Sequence, residues 1–479
     1  VISNLFDLAV VAFALVASGN AATIDVGSRL EPLVDDYLID SLKGATLTLH
    51  APVMREVAVV HDRPWEGNVC AYHTVFRDGD LCRMYYRGQH YDTKTGKLSP
   101  EVTCYAESKD GVHWTKPDLG LVEFAGSRHN NIILANMPAT HNFAPFLDTN
   151  PACKPEQRYK ALGCGGGGLM AFKSNDAIHW TPLQEKPVIT KGLFDSQNLA
   201  FWDCTRQRYV GFHRDMRDNV RDILTSNSTD FMHWTEPVWL EYPGAAKEHL
   251  YTNQIVPYFR APHIFFGFPK RFVPGRKAVD MSPNNDGVSD GLFMTSRDGL
   301  NFHRWSEALI RPGLQKERWI NRNNMTAEGI LVTGADTPGM PDELSIYSTE
   351  NYYRGESCRL RRFTVRIDGF VSIRAGSKSG KMLTHPLTFQ GKTLTINGST
   401  SGAGSIRVEL QDESGKPIPG YTLDDSTEFY GDEISHTMAW KQGTDLGKLV
   451  GRPVRLRFVL KDADLYAIQF RDKPADGIR

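Results

Sequence analysis

Short runs in which apolar and polar residues alternate dominate this chain, and they predict strands rather than helices. Residues 70–76, 82–86 and 102–107 are such runs, and the cluster Arg77-Asp78-Gly79-Asp80 between the first two predicts a hairpin turn. The texture returns near the C-terminus. Residues 393–396, 405–410, 454–459 and 465–470 alternate with a period of two, broken by turns such as Glu413-Ser414-Gly415-Lys416-Pro417. An all-β chain is the expectation.

One phrase punctuates the first part of the pattern. Ser108-Lys109-Asp110-Gly111-Val112-His113-Trp114 returns as Ser174-Asn175-Asp176-Ala177-Ile178-His179-Trp180. It returns again as Ser228-Thr229-Asp230-Phe231-Met232-His233-Trp234 and as Ser296-Arg297-Asp298-Gly299-Leu300-Asn301-Phe302. The spacings are 66, 54 and 68 residues, too long for a helical solenoid unit and suited to a four-stranded propeller blade. Ser and Asp side chains bond the backbone of their own tight turn, and Gly supplies positive φ where it occurs. The closing aromatic is expected to be largely buried between neighbouring blades.

Four phrases and one degenerate blade predict a five-bladed β-propeller over residues 55–375. The blades are read as residues 65–114, 131–180, 194–234 and 251–302, with a fifth built from 323–333, 343–349 and 359–367. An entry segment, residues 22–54, precedes them, and its stretch 34–40 is expected to close the ring. The phrase is lost near residue 380, and residues 380–479 are read as a C-terminal β-sandwich that packs on the propeller.

Composition narrows the function. A net charge of −1 and a pI near 7.0 predict neither a basic face for nucleic acid nor a polybasic membrane anchor. Residues 8–16 are apolar and are followed by small residues, which reads as a signal peptide over 1–21 and predicts export to a periplasm or beyond the cell. The run is too short for a membrane span. Seven cysteines without a C-x-x-C pair predict buried free thiols in strands, with one or two disulfides open if the chain is exported. Oligomeric state stays open.

Three segments carry candidate chemistry: Pro64-Trp65-Glu66-Gly67-Asn68, His141-Asn142-Phe143-Ala144-Pro145-Phe146 and Phe194-Asp195-Ser196-Gln197-Asn198-Leu199. A signal, a five-bladed propeller and a C-terminal sandwich resemble glycoside hydrolase family 32, and the propeller alone resembles family 43. Family 32 carries its nucleophile in W-M-N-D-P-N-G, a stabilising Asp in R-D-P and its acid in E-C. The resemblance puts Glu66 near the nucleophile position and Asp195 at the acid position. The second segment has no carboxylate before Asp148, none of the three motifs is intact, and fructan specificity is not implied.

The axis can also be read without the family. The first strand of each blade starts beside the axis, so the residues at these starts converge. They are Glu66, then His141 and Asn142, then Asp195 with Gln197 and Asn198, then Glu248, Tyr251 and Asn253, then Asn321, Arg322 and Asn323. Glycosidic cleavage needs one carboxyl to protonate the leaving oxygen and another as base or nucleophile. Glu66 and Asp195 are the pair this register offers. Trp65 and Tyr251 offer faces for a pyranose, and the amides and Arg322 suit hydroxyls. A second polar run, His213-Arg214-Asp215 with Arg217, Arg221 and Asp222, reads either as an internal salt-bridge network or as a site for a substrate carboxylate or sulfate. Lys270-Arg271 carries the same two readings. No cofactor is required, and a structural calcium ion at the axis is compatible with the oxygen ligands there. The chain thus reads as an exported glycoside hydrolase acting on a poly- or oligosaccharide. The alternatives are a non-catalytic carbohydrate-binding propeller and an interaction propeller.

Overall fold

A computed structural model describes residues 23–279 and 287–473. Residues 1–21, read above as a signal peptide, lie outside the described residues, as does part of the insertion near residues 281–290. Among the described residues the only helical segments are four short 3-10 turns, and no helix is long and apolar enough to cross a membrane.

Five four-stranded antiparallel sheets follow one another. The first holds Ala71–Asp78, Leu81–Gly88, Val102–Ser108 and Ile132–Ala135; the second Ala144–Leu147, Tyr159–Gly165, Gly168–Ser174 and Thr181–Pro182. The third holds Leu199–Asp203, Arg208–Arg217, Val220–Ser228 and Val238–Trp239; the fourth Val256–Tyr258, Ala261–Gly267, Met294–Ser296 and His303–Arg304. The fifth holds Leu331–Thr333, Glu343–Glu350 and Arg359–Arg366, and its outermost strand is Val53–Val60 from the start of the chain. The first strands of all five line one cavity of about 510 Å³ at the far end of the axis, and Thr74 bridges Glu328 where the fifth sheet meets the first. These sheets are the blades of a propeller.

The recurring turn works as the sequence implies. In each copy the Ser hydroxyl accepts from the backbone of the residues two and three ahead, and the Asp carboxylate accepts from the two residues after those. The residue after Asp is left-handed in every copy, at φ 73° for Gly111 and 79° for Gly299 but also 71° for Ala177 and 70° for Phe231. Each turn docks on the preceding sheet: Tyr85 donates to the Ala177 carbonyl at 2.9 Å, and Tyr347 donates to that of Gly111. The expectation that the closing aromatic is largely buried needs correction. Trp114, Trp180 and Trp234 are half-buried, and only Phe302 at the same place is fully buried. Each indole N–H stays outside the core, where it donates to the carbonyl three residues back.

Two boundaries also move. Residues 131–135 end the first blade rather than opening the second, because Ile132–Ala135 pairs with Val102–Ser108. The entry segment does not close the ring. Ile24–Gly27 runs parallel to Leu387–Phe389, Glu31–Pro32 pairs with Arg455–Arg471, and Ile39–Lys43 and Ala45–Leu49 pair with Gly380–Thr384 and Val371–Ala375. Glu31–Pro32, Ile39–Lys43 and Ala45–Leu49 enlarge the C-terminal domain into an eight-stranded sheet, while Ile24–Gly27 and Leu387–Phe389 form a two-stranded sheet of their own. Its two longest strands, Thr393–Gln411 and Arg455–Arg471, shift register between Thr400 and Ser405, so the sheet folds over a core that includes Ile406, Phe458 and Phe470. The sandwich packs on the propeller through Phe370, which stacks on Phe293 at 5.0 Å, and through Arg297, paired with Glu31 and Asp35. All seven cysteines are free.

Candidate functional site: a cationic tyrosine cluster at the mouth of the axis

The residues that precede the first strands gather at the near end of the axis. Tyr72 enters a bulge in Ala71–Asp78, with a register shift between Ala71 and Thr74 and a left-handed φ of 58°. That bulge turns its hydroxyl to within 3.0 Å of the Tyr251 hydroxyl and 3.0 Å of the Asp195 carbonyl oxygen. Arg322 and Tyr353 are left-handed too, at φ 73° and 61°. Backbone strain of this kind costs of order 1–3 kcal/mol per residue and persists where surrounding structure fixes it.

Five cationic side chains surround the two phenols. Lys270 Nζ lies 4.1 Å from the Tyr251 ring centroid, and the guanidinium carbons of Arg214 and Arg221 lie 4.9 and 5.9 Å from it. Arg87 lies 4.9 Å from the Tyr72 ring and donates to the Tyr352 hydroxyl at 2.7 Å. Arg322 donates to the Tyr353 hydroxyl at 3.0 Å. Two carboxylates pair directly with these side chains. Glu101 accepts from His141 at 2.9 Å and meets Arg87 at 3.4 Å, while Asp195 pairs with Arg214. Arg87, Tyr72, Tyr352, Arg214 and Lys270 are buried and form the floor; Tyr251, Arg221, Arg322, His141 and Asn321 are half-exposed and form the rim.

The electrostatics follow from that imbalance. Burial pushes the Lys270 ammonium well below its ordinary value, and Arg322, Arg221 and Arg214 push it further. Burial raises the Tyr251 phenol, but Arg322, the hydrogen bond with Tyr72, Arg214 and Arg87 outweigh it and leave Tyr251 below its ordinary value. Tyr72 goes the other way, driven up by burial and by Tyr251 itself. Arg214, only 4 % exposed, keeps Nε and Nη1 without a partner, as does Arg87 its Nε. Buried unpaired donors are costly, and an anion seated here would supply what they lack.

Of the residues singled out in the sequence, His141, Asp195, Tyr251, Asn321 and Arg322 meet at this site. Asn321 accepts from Lys270 at 3.0 Å. The ambiguous runs divide: Arg214, Arg221 and Lys270 join the site, whereas Arg217 lies near Asp222 and Glu241, and Arg271 pairs with Glu248 and Asp290.

The other candidates are placed elsewhere. Glu66 is a correction: its carboxylate is fully buried, accepts from Lys116 at 2.6 Å and from Tyr86 at 2.5 Å, and shares no partner with the 68 %-exposed Asp195. No ion pair or hydrogen bond joins the two. Trp65 packs on Phe124 and donates to Asn131. Asn142 bonds the Ser196 carbonyl, Gln197 bonds Thr74 and Gln254, and Asn253 is fully buried beside the Gln197 and Phe212 carbonyls. Asn323 accepts from the Tyr352 amide, and Asp215 caps the Met216 amide. Glu248 is held between Arg271 and Arg304 in a different surface pocket. Asn142, Gln197 and Asn253 tie neighbouring blades together. Among the described residues no group of three or more His, Cys, Asp or Glu is placed to hold a metal ion.

Tyr72, Arg87, Glu101, Tyr352 and Tyr353 were missed. Their signal is strand polarity. Second strands run antiparallel to first strands, so their C-terminal ends return to the same rim, and Arg87 and Arg214 stand near those ends.

The fold is a β-propeller with an appended β-sheet domain. No family profile and no curated protein sequence matches the chain. Among solved structures, an N-acetylgalactosamine deacetylase from F. plautii, in complex with blood group B trisaccharide, is 13% identical over 67% of this chain and 95% of its own, with a TM-score of 0.42. A GH32 β-fructofuranosidase from Bombyx mori is 10% identical over 88% and 96%, with a TM-score of 0.42. An endo-arabinase from Bacteroides thetaiotaomicron is 11% identical over 65% and 98%, with a TM-score of 0.39.

Proposed function

We propose that this protein is a carbohydrate-active enzyme that binds an acidic poly- or oligosaccharide at the mouth of the propeller axis and cleaves its glycosidic bond. The observation that carries the reading is the set of five cations around Tyr72 and Tyr251, with unpartnered guanidinium donors on Arg214 and Arg87 and two carboxylates paired with them. Planar guanidinium groups suit carboxylate and sulfate oxygens. Half-exposed tyrosine rings and the Asn321 amide suit a sugar's apolar face and its hydroxyls. The apolar run at residues 8–16 supports export as the setting.

Calorimetric titration with matched acidic and neutral oligosaccharides tests this reading. Acid-bearing chains are expected to bind, more weakly as salt rises, and neutral chains to bind poorly. Equal affinity for both, or none for either, would remove it. A second reading, a binding propeller without turnover, is favoured by the absence of the Glu66–Asp195 pair. It predicts the same titration with no new reducing ends.

A further inference from the structure

We propose that the site cleaves a uronate-containing chain by β-elimination, with the Tyr251 oxygen as the base, rather than by hydrolysis. This inference rests on the reading of the site as an acidic-saccharide site and names its reaction and substrate class.

Hydrolysis calls for two carboxyl groups flanking the scissile bond. The cluster does not supply them in a usable form. Glu101 is held by His141 and Arg87, Asp195 is turned onto Arg214, and Glu66 is sealed beneath Lys116 and Tyr86. The cluster supplies something else, a tyrosine oxygen ringed by cations. The Tyr251 and Tyr72 hydroxyls lie 3.0 Å apart, so that Tyr72 can turn its proton from the Asp195 carbonyl to an ionised Tyr251 oxygen, and Lys270 and Arg214 lie over the Tyr251 ring at 4.1 and 4.9 Å. Burial raises the phenol, but Arg322, the hydrogen bond with Tyr72, Arg214 and Arg87 together bring it below its ordinary value, which favours the ionised form a base requires. Tyr72, raised by burial, stays protonated and acts as a positioning residue that donates to the Tyr251 oxygen.

Elimination from a uronate needs these two features. The carbon next to the carboxylate carries a proton, and the glycosidic oxygen sits on the adjacent carbon. The Tyr251 oxygen removes that proton. The electron pair left behind becomes a double bond between the two carbons, the bond to the glycosidic oxygen breaks, and that oxygen departs with the bonding pair. It takes the proton back from the Tyr251 phenol, so the enzyme ends as it began and no water is consumed. Negative charge builds on the carboxylate as the proton leaves. Arg322 on the rim and the Arg214 donors beneath it face that charge, where fixed donors lower a barrier most. A sulfate ester lacks the acidic carbon–hydrogen bond, so the chemistry selects uronates among anionic sugars.

The test offers polygalacturonate, alginate, hyaluronan and chondroitin fragments to the full chain. It reads binding by calorimetry, new reducing ends, and the ultraviolet absorbance of an unsaturated uronate. At least one polymer is expected to yield one chromophore per new reducing end, with no label entering the product from oxygen-labelled water. Tyr251→Phe is expected to lower turnover by roughly 10²–10⁴-fold while leaving binding near the parent value. Tyr72→Phe is expected to displace the pH–rate profile upward, because Tyr251 loses a donor that favours its ionised form. Reducing ends with labelled oxygen and no chromophore would establish hydrolysis and overturn the elimination while leaving the proposed function intact. Binding without any cleavage would also overturn it, in favour of the binding propeller. Failure of every acidic saccharide to bind would defeat the site reading itself. The labelling experiment needs no variant, so a Tyr251→Phe protein that fails to fold leaves the inference testable.

Discussion

The hydroxyls of Tyr72 and Tyr251 lie 3.0 Å apart, across the axis, from positions 179 residues apart in the chain. Neither ring can move without disturbing the other or the Asp195 carbonyl that both reach. The contact therefore links the first, third and fourth blades at the point where the cations converge.

Arg214 is expected to matter for ligand rather than for stability. Its Nε and Nη1 are buried without partners, and such donors cost about 1–3 kcal/mol each. Arg214→Met keeps the apolar stem and removes the charge. Its melting temperature should equal or exceed the parent's, while affinity for an acidic saccharide should fall at least about tenfold, or about 1.4 kcal/mol. Melting curves and calorimetry on the same preparations check both.

Glu66 is expected to behave as a structural ion. Glu66→Gln leaves Lys116 beside a neutral amide in a buried setting, and breaking a buried pair costs about 3–5 kcal/mol. Urea unfolding should show that loss, whereas turnover per folded molecule should stay near the parent's. A stable variant without activity would restore Glu66 to the chemistry.

Glu328 sets a pH dependence from the opposite end of the axis. Burial raises its carboxyl from 4.5 to about 8, against the hydrogen bond from Thr74. The folded state then holds a proton that the unfolded chain has released between those values. The associated stability is fully present below about 4.5 and is lost as the pH rises through about 8. Glu328→Gln should flatten this decline, so the variant should gain on the parent in denaturant titrations as the pH increases.

Lys270 has the reverse sign. Its folded value lies well below 10.5, so the unfolded chain binds the extra proton in the window between. Stability is present above 10.5 and is lost as the pH falls through the folded value. Lys270→Met should remove that slope and raise stability at neutral pH. An arriving anion should raise that folded value, so parent-protein binding heats measured near it should vary with the buffer's ionisation enthalpy and those of Lys270→Met should vary less.

The propeller was legible because its turn is written in side chains: Ser, Asp and a closing aromatic recur wherever the backbone needs the same hydrogen bonds. Ala177 and Phe231 take the left-handed place of Gly111 without breaking it. Residues 24–49 were misplaced because their partners lie more than three hundred residues away, and local alternation does not reveal which distant strand a segment joins. The site was half legible for a related reason. Counting the starts of first strands found Tyr251, Asp195 and Arg322 but passed over Arg87, which arrives from the returning end of a second strand. Glu66 misled because a carboxylate near a strand start looks the same in sequence whether it faces the axis or a buried lysine.

The closing strand Val53–Val60 bears on how the protein is made. It belongs to the same sheet as Arg359–Arg366, so during synthesis it emerges some three hundred residues before its partner. Four blades can form while it waits, with its backbone edge unpaired and Val53, Met54 and Val60 exposed. The strands before it wait longer still, for Val371–Ala375 and Arg455–Arg471. Ring and sandwich are therefore completed only once Arg359–Arg366, Val371–Ala375 and Arg455–Arg471 have left the ribosome. A nascent chain halted before residue 359 exposes an open strand edge for aggregation or chaperone capture.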